Sequence, residues 1–332
     1  MNPPFPITDH SDGRRFFNPA GELQARSLAD LPKWWWRRAR GQRPAVWPKQ
    51  VPPPRTPALT PAIRAGTAAV TWIGHSAFLL QLPGVNVLTD PVFSSHAGPF
   101  GRLGPGRVRP PALQLEQLPP IDVVLLSHNH YDHLDLSSLR WLSRERRPRV
   151  ITTLGNKTWL GSRGVDNVVE LDWWQTHSPI PELEISCTPA QHFAARTLWD
   201  RNLTLWSGFA LKTTAGSIYF AGDSGWCRSF ETIGARLGPF DLALIPIGAY
   251  EPRWFMAAVH MNPDEAVRAH LAVRSRRSFA MHFGTFQLTD EAIDAPLIAL
   301  AEARTRYGVA PADFAALDFG ETRLLSMLTP SD

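Results

Sequence analysis

The sequence predicts an α/β protein, with strands in two groups and helices interleaved among them. Short apolar runs recur at strand length and stop at Gly, Pro or polar residues. Asn262-Pro263-Asp264-Glu265 is a good helix start, with a capping side chain and then proline in the first turn. Several of the strand-like runs deliver a His or Asp at or near their carboxyl ends, where α/β scaffolds place their functional groups.

Taken in order, residues 1–65 form an N-terminal arm rich in Pro and Arg, and residues 66–332 form the main domain. Strands are expected at 68–72, 77–82 and 85–88, the last two joined by a turn at Pro83-Gly84. Residues 95–120, rich in Gly, Pro and Arg, read as a long loop near the mouth of a site. A buried strand at 121–126 leads to a ligand loop and then a helix over 136–144. Further strands are expected at 150–153, 168–171, 183–188, 205–213, 217–221, 242–247 and 279–282. Helices are expected from Asn262 to about Val273 and over 290–307. No internal repeat is present.

Composition narrows the class. A 332-residue chain with 44% hydrophobic residues can bury a sizeable core. No run of 18 apolar residues suggests a membrane-spanning helix. The start, Met1-Asn2-Pro3-Pro4-Phe5-Pro6, lacks the apolar core of a signal peptide. The two cysteines, Cys187 and Cys227, make neither a metal-type pair nor a disulfide framework. A cytoplasmic protein with reduced thiols is the expectation. The formal net charge of +4, with basic residues spread along the chain, argues against nucleic acid as a partner. In the arm, Lys33-Trp34-Trp35-Trp36-Arg37-Arg38-Ala39-Arg40 allows peripheral membrane contact, with rings at the interface and cations on headgroups. The preferred reading is that these tryptophans pack the arm onto the main domain.

The chemistry concentrates in Ser127-His128-Asn129-His130-Tyr131-Asp132-His133, directly after the strand at 121–126. Imidazole suits zinc and a carboxylate can complete or bridge a site. His192, Asp223 and His282 follow other strand-like runs in the same manner.

His128-Asn129-His130-Tyr131-Asp132-His133 resembles the HxHxDH signature of the metallo-β-lactamase fold superfamily. Within it, four stretches resemble the N-acylphosphatidylethanolamine-hydrolysing phospholipase D family: Thr71-Trp72-Ile73-Gly74-His75-Ser76, Leu88-Thr89-Asp90-Pro91-Val92-Phe93-Ser94, Gly222-Asp223-Ser224-Gly225-Trp226-Cys227 and His282-Phe283-Gly284-Thr285-Phe286. The resemblance covers about residues 66 to 290 and only Arg15-Phe16-Phe17-Asn18-Pro19 of the arm. It implies an αββα sandwich of the metallo-β-lactamase type. It also implies two zinc ions per chain: one held by His128, His130 and His192, the other by Asp132, His133 and His282, with Asp223 bridging.

The implied reaction is hydrolysis of a phosphodiester, N-acylphosphatidylethanolamine-like phospholipids being the expected substrates. A hydroxide held between the metals attacks phosphorus, so no serine or cysteine nucleophile is required. A metal-dependent lactonase or other ester hydrolase on the same site is the alternative. A non-enzymatic metal-binding protein is a third reading, disfavoured by the complete ligand set. Asp132 is expected to be essential to catalysis. The resemblance places His260 near the substrate, to protonate a leaving group or hold the phosphate. Tyr131 could donate a hydrogen bond to a phosphoryl oxygen. Asp90 is the expected carboxylate behind a ligating histidine, and His75 is expected at the site edge. His10, His96, His177 and His270 carry no functional expectation. Oligomeric state is not readable.

Overall fold

The computed structural model describes residues 4–19, 23, 30–41, 44–60 and 62–327. The signal-peptide reading rests partly on residues 1–3, which lie outside that set. The arm contributes a short hairpin, β1 (Ile7–Thr8) and β2 (Ser11–Asp12), and a helix, α1 (Leu31–Ala39). Seven strands then build the first sheet: β3 (Thr67–Gly74), β4 (Ala77–Leu82), β5 (Val85–Thr89), β6 (Val123–Leu125), β7 (Arg149–Thr153), β8 (Val168–Leu171) and the late β16 (Thr322–Ser326). Their spatial order is β16-β3-β4-β5-β6-β7-β8. The second sheet uses β9 (Thr176–Ile180), β10 (Leu183–Thr188), β11 (Gly208–Thr213), β12 (Gly216–Phe220), β13 (Leu242–Pro246), β14 (Ser278–Met281) and β15 (Phe314–Ala315), in the order β15-β14-β13-β12-β11-β10-β9.

Both sheets repeat one pattern. Along the first sheet from β16, three antiparallel pairings are followed by three parallel ones. From β9 the second sheet does the same.

Period-two alternation decides which face each residue buries. In β4, Phe78 and Leu80 join Trp72, Val123, Ile185, Phe209 and Leu211 in the core that the two sheets share. Their neighbours Ala77 and Leu79 point the other way and pack with Ile73, Leu88 and Val124 against the first helical layer. That layer is α2 (Leu136–Glu145), through Leu139 and Leu142, and α3 (Lys157–Gly161), through Leu160. On the second sheet, α6 (Pro263–Ala272) packs on β13, and α4 (Ser229–Arg236) and α7 (Ala295–Tyr307) pack on α6. The architecture is the expected αββα sandwich. Because strands buried on both faces read as continuous apolar runs, they were visible in sequence.

Two boundaries differ by three residues or more from expectation. The strand anticipated at 205–213 begins at Gly208, because residues 205–207 cross to the first sheet: Leu205 N–H donates to Leu154 O at 2.9 Å and Ser207 N–H to Ser127 O at 3.0 Å. The helix expected over 290–307 starts at Ala295, with Pro296 in its first turn. Asp290 and Glu291 are occupied before it: Asp290 accepts from Trp34 Nε1 at 2.8 Å, and Glu291 accepts from the N–H groups of Ala249 at 2.6 Å and Glu251 at 3.1 Å. The helix α6 begins where its signal placed it, with Asn262 and Glu265 forming a reciprocal capping box.

The arm is fastened to both sheets. His10 Nε2 lies 2.8 Å from Asp172, and its ring stacks on Trp173 with centroids 4.3 Å apart. Trp34 is buried with Met256, Ala258 and Val259. Trp35 and Trp36 are 61% and 54% exposed, so one tryptophan of the three packs as the preferred reading required and two face solvent.

Candidate metal centre

Each site residue leaves the carboxyl end of a strand or the loop beyond it. His75 follows β3, Asp90 follows β5, and the 128–133 loop follows β6. From the second sheet come His192 beyond β10, Asp223 beyond β12, His260 beyond β13 and α5 (Arg253–Met256), and His282 after β14. The structure brings all seven expected ligands together, four from the first sheet and three from the second.

Three ring nitrogens converge in one group. His128 Nε2 lies 2.9 Å from His130 Nδ1, and His192 Nε2 lies 3.2 Å from the same atom. Two donors bound tetrahedrally to one zinc are roughly 3.3 Å apart, given metal–nitrogen bonds of about 2.0–2.1 Å. Burial holds His128 far below the ordinary imidazole range, and takes His130 to about 3 and His192 to about 4. Neutral rings face one another with lone pairs, as ligation requires.

The second group surrounds two carboxylates. Asp223 Oδ2 is 3.0 Å from His133 Nε2 and 2.9 Å from His282 Nε2. Asp132 Oδ2 is 3.5 and 3.3 Å from the same two nitrogens. Asp223 Oδ2 also stands 4.0 Å from His192 Nε2, which places it between the groups. Burial alone would lower His133 and His282. The neighbouring carboxylates, Asp223 foremost, outweigh it, lifting His133 well above the usual range and His282 to about 9. Burial would raise both carboxyls, yet His133 and the other nearby rings hold Asp132 and Asp223 well below the carboxylate range.

These distances are not ordinary hydrogen bonds. His133 Nε2, His282 Nε2 and Asp223 Oδ1 are buried without a hydrogen-bond partner, although nitrogen and carboxylate almost touch. Donor atoms that point past one another toward a common centre fit a cation better than they fit each other. The residues present therefore suit a pair of metal ions.

A layer of partners fixes the rings. Asp90 Oδ2 accepts from His133 Nδ1 at 2.6 Å and from Ser127 Oγ at 2.6 Å, while Ser127 Oγ accepts from His128 Nδ1 at 2.9 Å. His192 Nδ1 donates to the Val259 carbonyl at 2.8 Å. Each of these bonds leaves Nε2 free to face the centre. His75 is buried in the site rather than at its edge, with Nε2 3.0 Å from Asp132 Oδ2. His75, Asp90 and His282 all hold left-handed backbone, at φ 54°, 29° and 62°. Such strain in non-glycine residues gathers at functional sites.

His260 is buried beside the cluster, its Nδ1 unpartnered and 3.9 Å from Asp223 Oδ2. Tyr131 turns elsewhere: it lines a cavity whose walls hold none of the converging histidines, with Arg196 stacked 3.9 Å over its ring. His10 and His270 are buried structural residues, and His96 and His177 are half-buried away from the cluster.

Sequence reasoning missed Ser127, the Val259 carbonyl and Arg196. Arg196 Nη1 donates to the carbonyls of Asn129 at 2.7 Å and Leu134 at 2.9 Å, clamping both ends of the ligand loop. Ser127 could have been found from its place beside His128; the other two have no local signal.

Fold and ligand set define a metal-dependent hydrolase. The family model described as a beta-lactamase superfamily domain matches residues 85–283, and the chain belongs to that superfamily. It is 42% identical over 264 residues to N-acyl-phosphatidylethanolamine-hydrolyzing phospholipase D 1 of Caenorhabditis elegans, covering 76% of this chain and 74% of that one. An uncharacterized protein of Mycobacterium tuberculosis is 45% identical over 74% of this chain and 68% of its own. Among solved structures, a metallo hydrolase from Ignicoccus hospitalis superposes with a TM-score of 0.59 at 22% identity, over 79% of this chain and 100% of that one.

Proposed function

We propose that the chain is a dinuclear zinc phosphodiesterase that cleaves N-acylphosphatidylethanolamine-like phospholipids. Asp223 carries the reading, because its Oδ2 faces donors of both groups at once. His128, His130 and His192 would hold one ion, and Asp132, His133 and His282 the other. When bound, the ions would lower the pKa of water and offset charge on the phosphoryl oxygens. The similarity to the nematode phospholipase supports the lipid substrate.

The protein's own groups do the rest. Asp90, Ser127 and the Val259 carbonyl hold three ligating rings in one tautomer. His260 is kept neutral at pH 7 by burial, so its ring can hydrogen bond a phosphoryl or leaving-group oxygen without adding charge. Tyr131, expected to reach a phosphoryl oxygen, instead faces the neighbouring cavity and is given no part in this reaction.

The test is metal content together with product analysis on a short-chain N-acylphosphatidylethanolamine. Two zinc ions per chain and release of phosphatidate are expected. Asp132→Ala should lower the rate by more than about a hundredfold, beyond what loss of a residue behind the ligands costs. Two metals with lactone opening and no phosphodiester cleavage would replace this reading with the lactonase one.

A further inference from the structure

A cavity of about 600 Å³ opens beside the ligand loop, walled partly by α2 and α3. Arg102, Arg140, Arg163 and Arg196 surround it, together with Tyr131 and Trp159. Arg163 and Arg196 stand over the Trp159 ring at 5.2 and 5.1 Å. Among the described residues, none of these four arginines forms an ion pair; the arginine pairs of the molecule lie elsewhere.

Two wall carboxylates, Asp135 and Asp200, stand against the four guanidinium groups. Asp135 accepts from the N–H groups of Phe93 at 3.2 Å, Ser94 at 2.9 Å and Ser137 at 3.1 Å. Asp200 accepts from Arg196 N–H at 3.0 Å and Thr197 N–H at 2.8 Å. With four guanidinium groups against two carboxylates, the lining is net positive. Its volume falls in the ordinary range for small-molecule sites. Guanidinium groups suit phosphate, which they can bind with paired hydrogen bonds.

The mouth has the opposite character. Phe100, in the wall, is 85% exposed, and Trp199, in the loop that supplies the wall residues Arg196, Thr197 and Asp200, is 82% exposed. Large apolar groups gathered at one opening mark a surface meant to be covered. A net-positive wall beside exposed aromatic rings is complementary to an amphiphile with a phosphate head.

We propose that this cavity is a second ligand site, outside the metal cluster, which takes the phosphate of an amphiphile whose chains lie against Phe100 and Trp199. It is separate from the phosphodiesterase reading, and its test needs no turnover.

The experiment is calorimetric titration of the metal-loaded, full-length protein with monomeric dihexanoyl phosphatidate. Glycerol 3-phosphate and dihexanoylglycerol are the head-only and chain-only probes. Phosphatidate should bind best. The double variant Arg140→Ala/Arg163→Ala should weaken it by roughly tenfold or more. Phe100→Ser, on an exposed loop, should weaken phosphatidate and leave glycerol 3-phosphate unchanged. Unaltered phosphatidate affinity in the double variant would remove the site from this cavity. Glycerol 3-phosphate binding as tightly as phosphatidate would overturn the amphiphile. Binding to phosphatidate vesicles but not to the monomer would make the patch a membrane contact instead.

Discussion

Asp90 shows how much one buried carboxylate can organise. It accepts from Ser127 N–H at 2.8 Å as well as from the Ser127 hydroxyl and His133 Nδ1. Through these bonds it sets the orientation of His133 directly and of His128 by way of Ser127. Asp90→Asn keeps the shape but removes the charge, so metal affinity or activity should fall by about 10–100-fold while the fold is retained. Circular dichroism with metal titration checks this, and unchanged affinity and activity would assign Asp90 a turn role alone. Nearby, Gly222 has φ +60°, and a Cβ there would meet Ser207 O at 2.5 Å and Ser127 Cβ at 2.9 Å. Only glycine lets the loop bearing Asp223 pass so close to Ser127. At this scale the sequence was legible where the chemistry is local: four ligands fall within six residues. Asp90 could be named as a partner, but not the ring it would meet. Arg196 and the Val259 carbonyl act across the fold, and nothing adjacent to them in sequence shows it.

Helix α1 was the least expected element, since its aromatic run lies in a Pro- and Arg-rich arm. Its faces differ sharply. Trp34 donates to Asp290 and packs on Met256 and Val259, the residue whose carbonyl holds His192. Trp36 faces solvent with Arg40 stacked 4.2 Å over its ring. Trp34→Ala should therefore cost about 3 kcal/mol of stability, the lower end for a buried tryptophan, read by denaturant unfolding. Trp35→Ala/Trp36→Ala should leave stability unchanged and reduce co-sedimentation with anionic vesicles. Vesicle binding that survives both substitutions would remove α1 from any membrane contact. Eleven of the fourteen strands in the two sheets were legible, because burial on both faces leaves apolar runs; β9, β15 and β16, all at sheet edges, were not expected. Short helices such as α3 and α5 are too brief to show a period, and the strand predicted from residue 205 was overridden by contacts with the other sheet.

For the molecule as a whole, the two sheets meet at a charge-dense seam. Without metal, His133 and His282 carry protons between Asp132 and Asp223, since their pKa values are raised, that of His282 to about 9. Groups with raised values stabilise the fold fully below their unfolded pKa, near 6.5, and lose that contribution as pH climbs through the folded value. Metal needs the same nitrogens unprotonated, so its contribution grows over that interval. The gap in melting temperature between metal-loaded and chelator-treated protein should therefore widen from pH 6 to pH 9. A constant or narrowing gap would show that metal does not replace those protons. The topology of the sandwich follows from its alternating elements; the meeting of the two halves at Asp223 is a tertiary event that no stretch of sequence displays.

The place of β16 has a consequence for synthesis. This strand pairs with β3, so the sheet begun near residue 67 stays open at that edge until residues 322–326 are made. The 128–133 loop leaves the ribosome long before Asp223 and His282. A growing chain thus presents part of a chelate on an unfinished sheet, and the complete centre is available only after His282 has been made and β14 has joined its sheet.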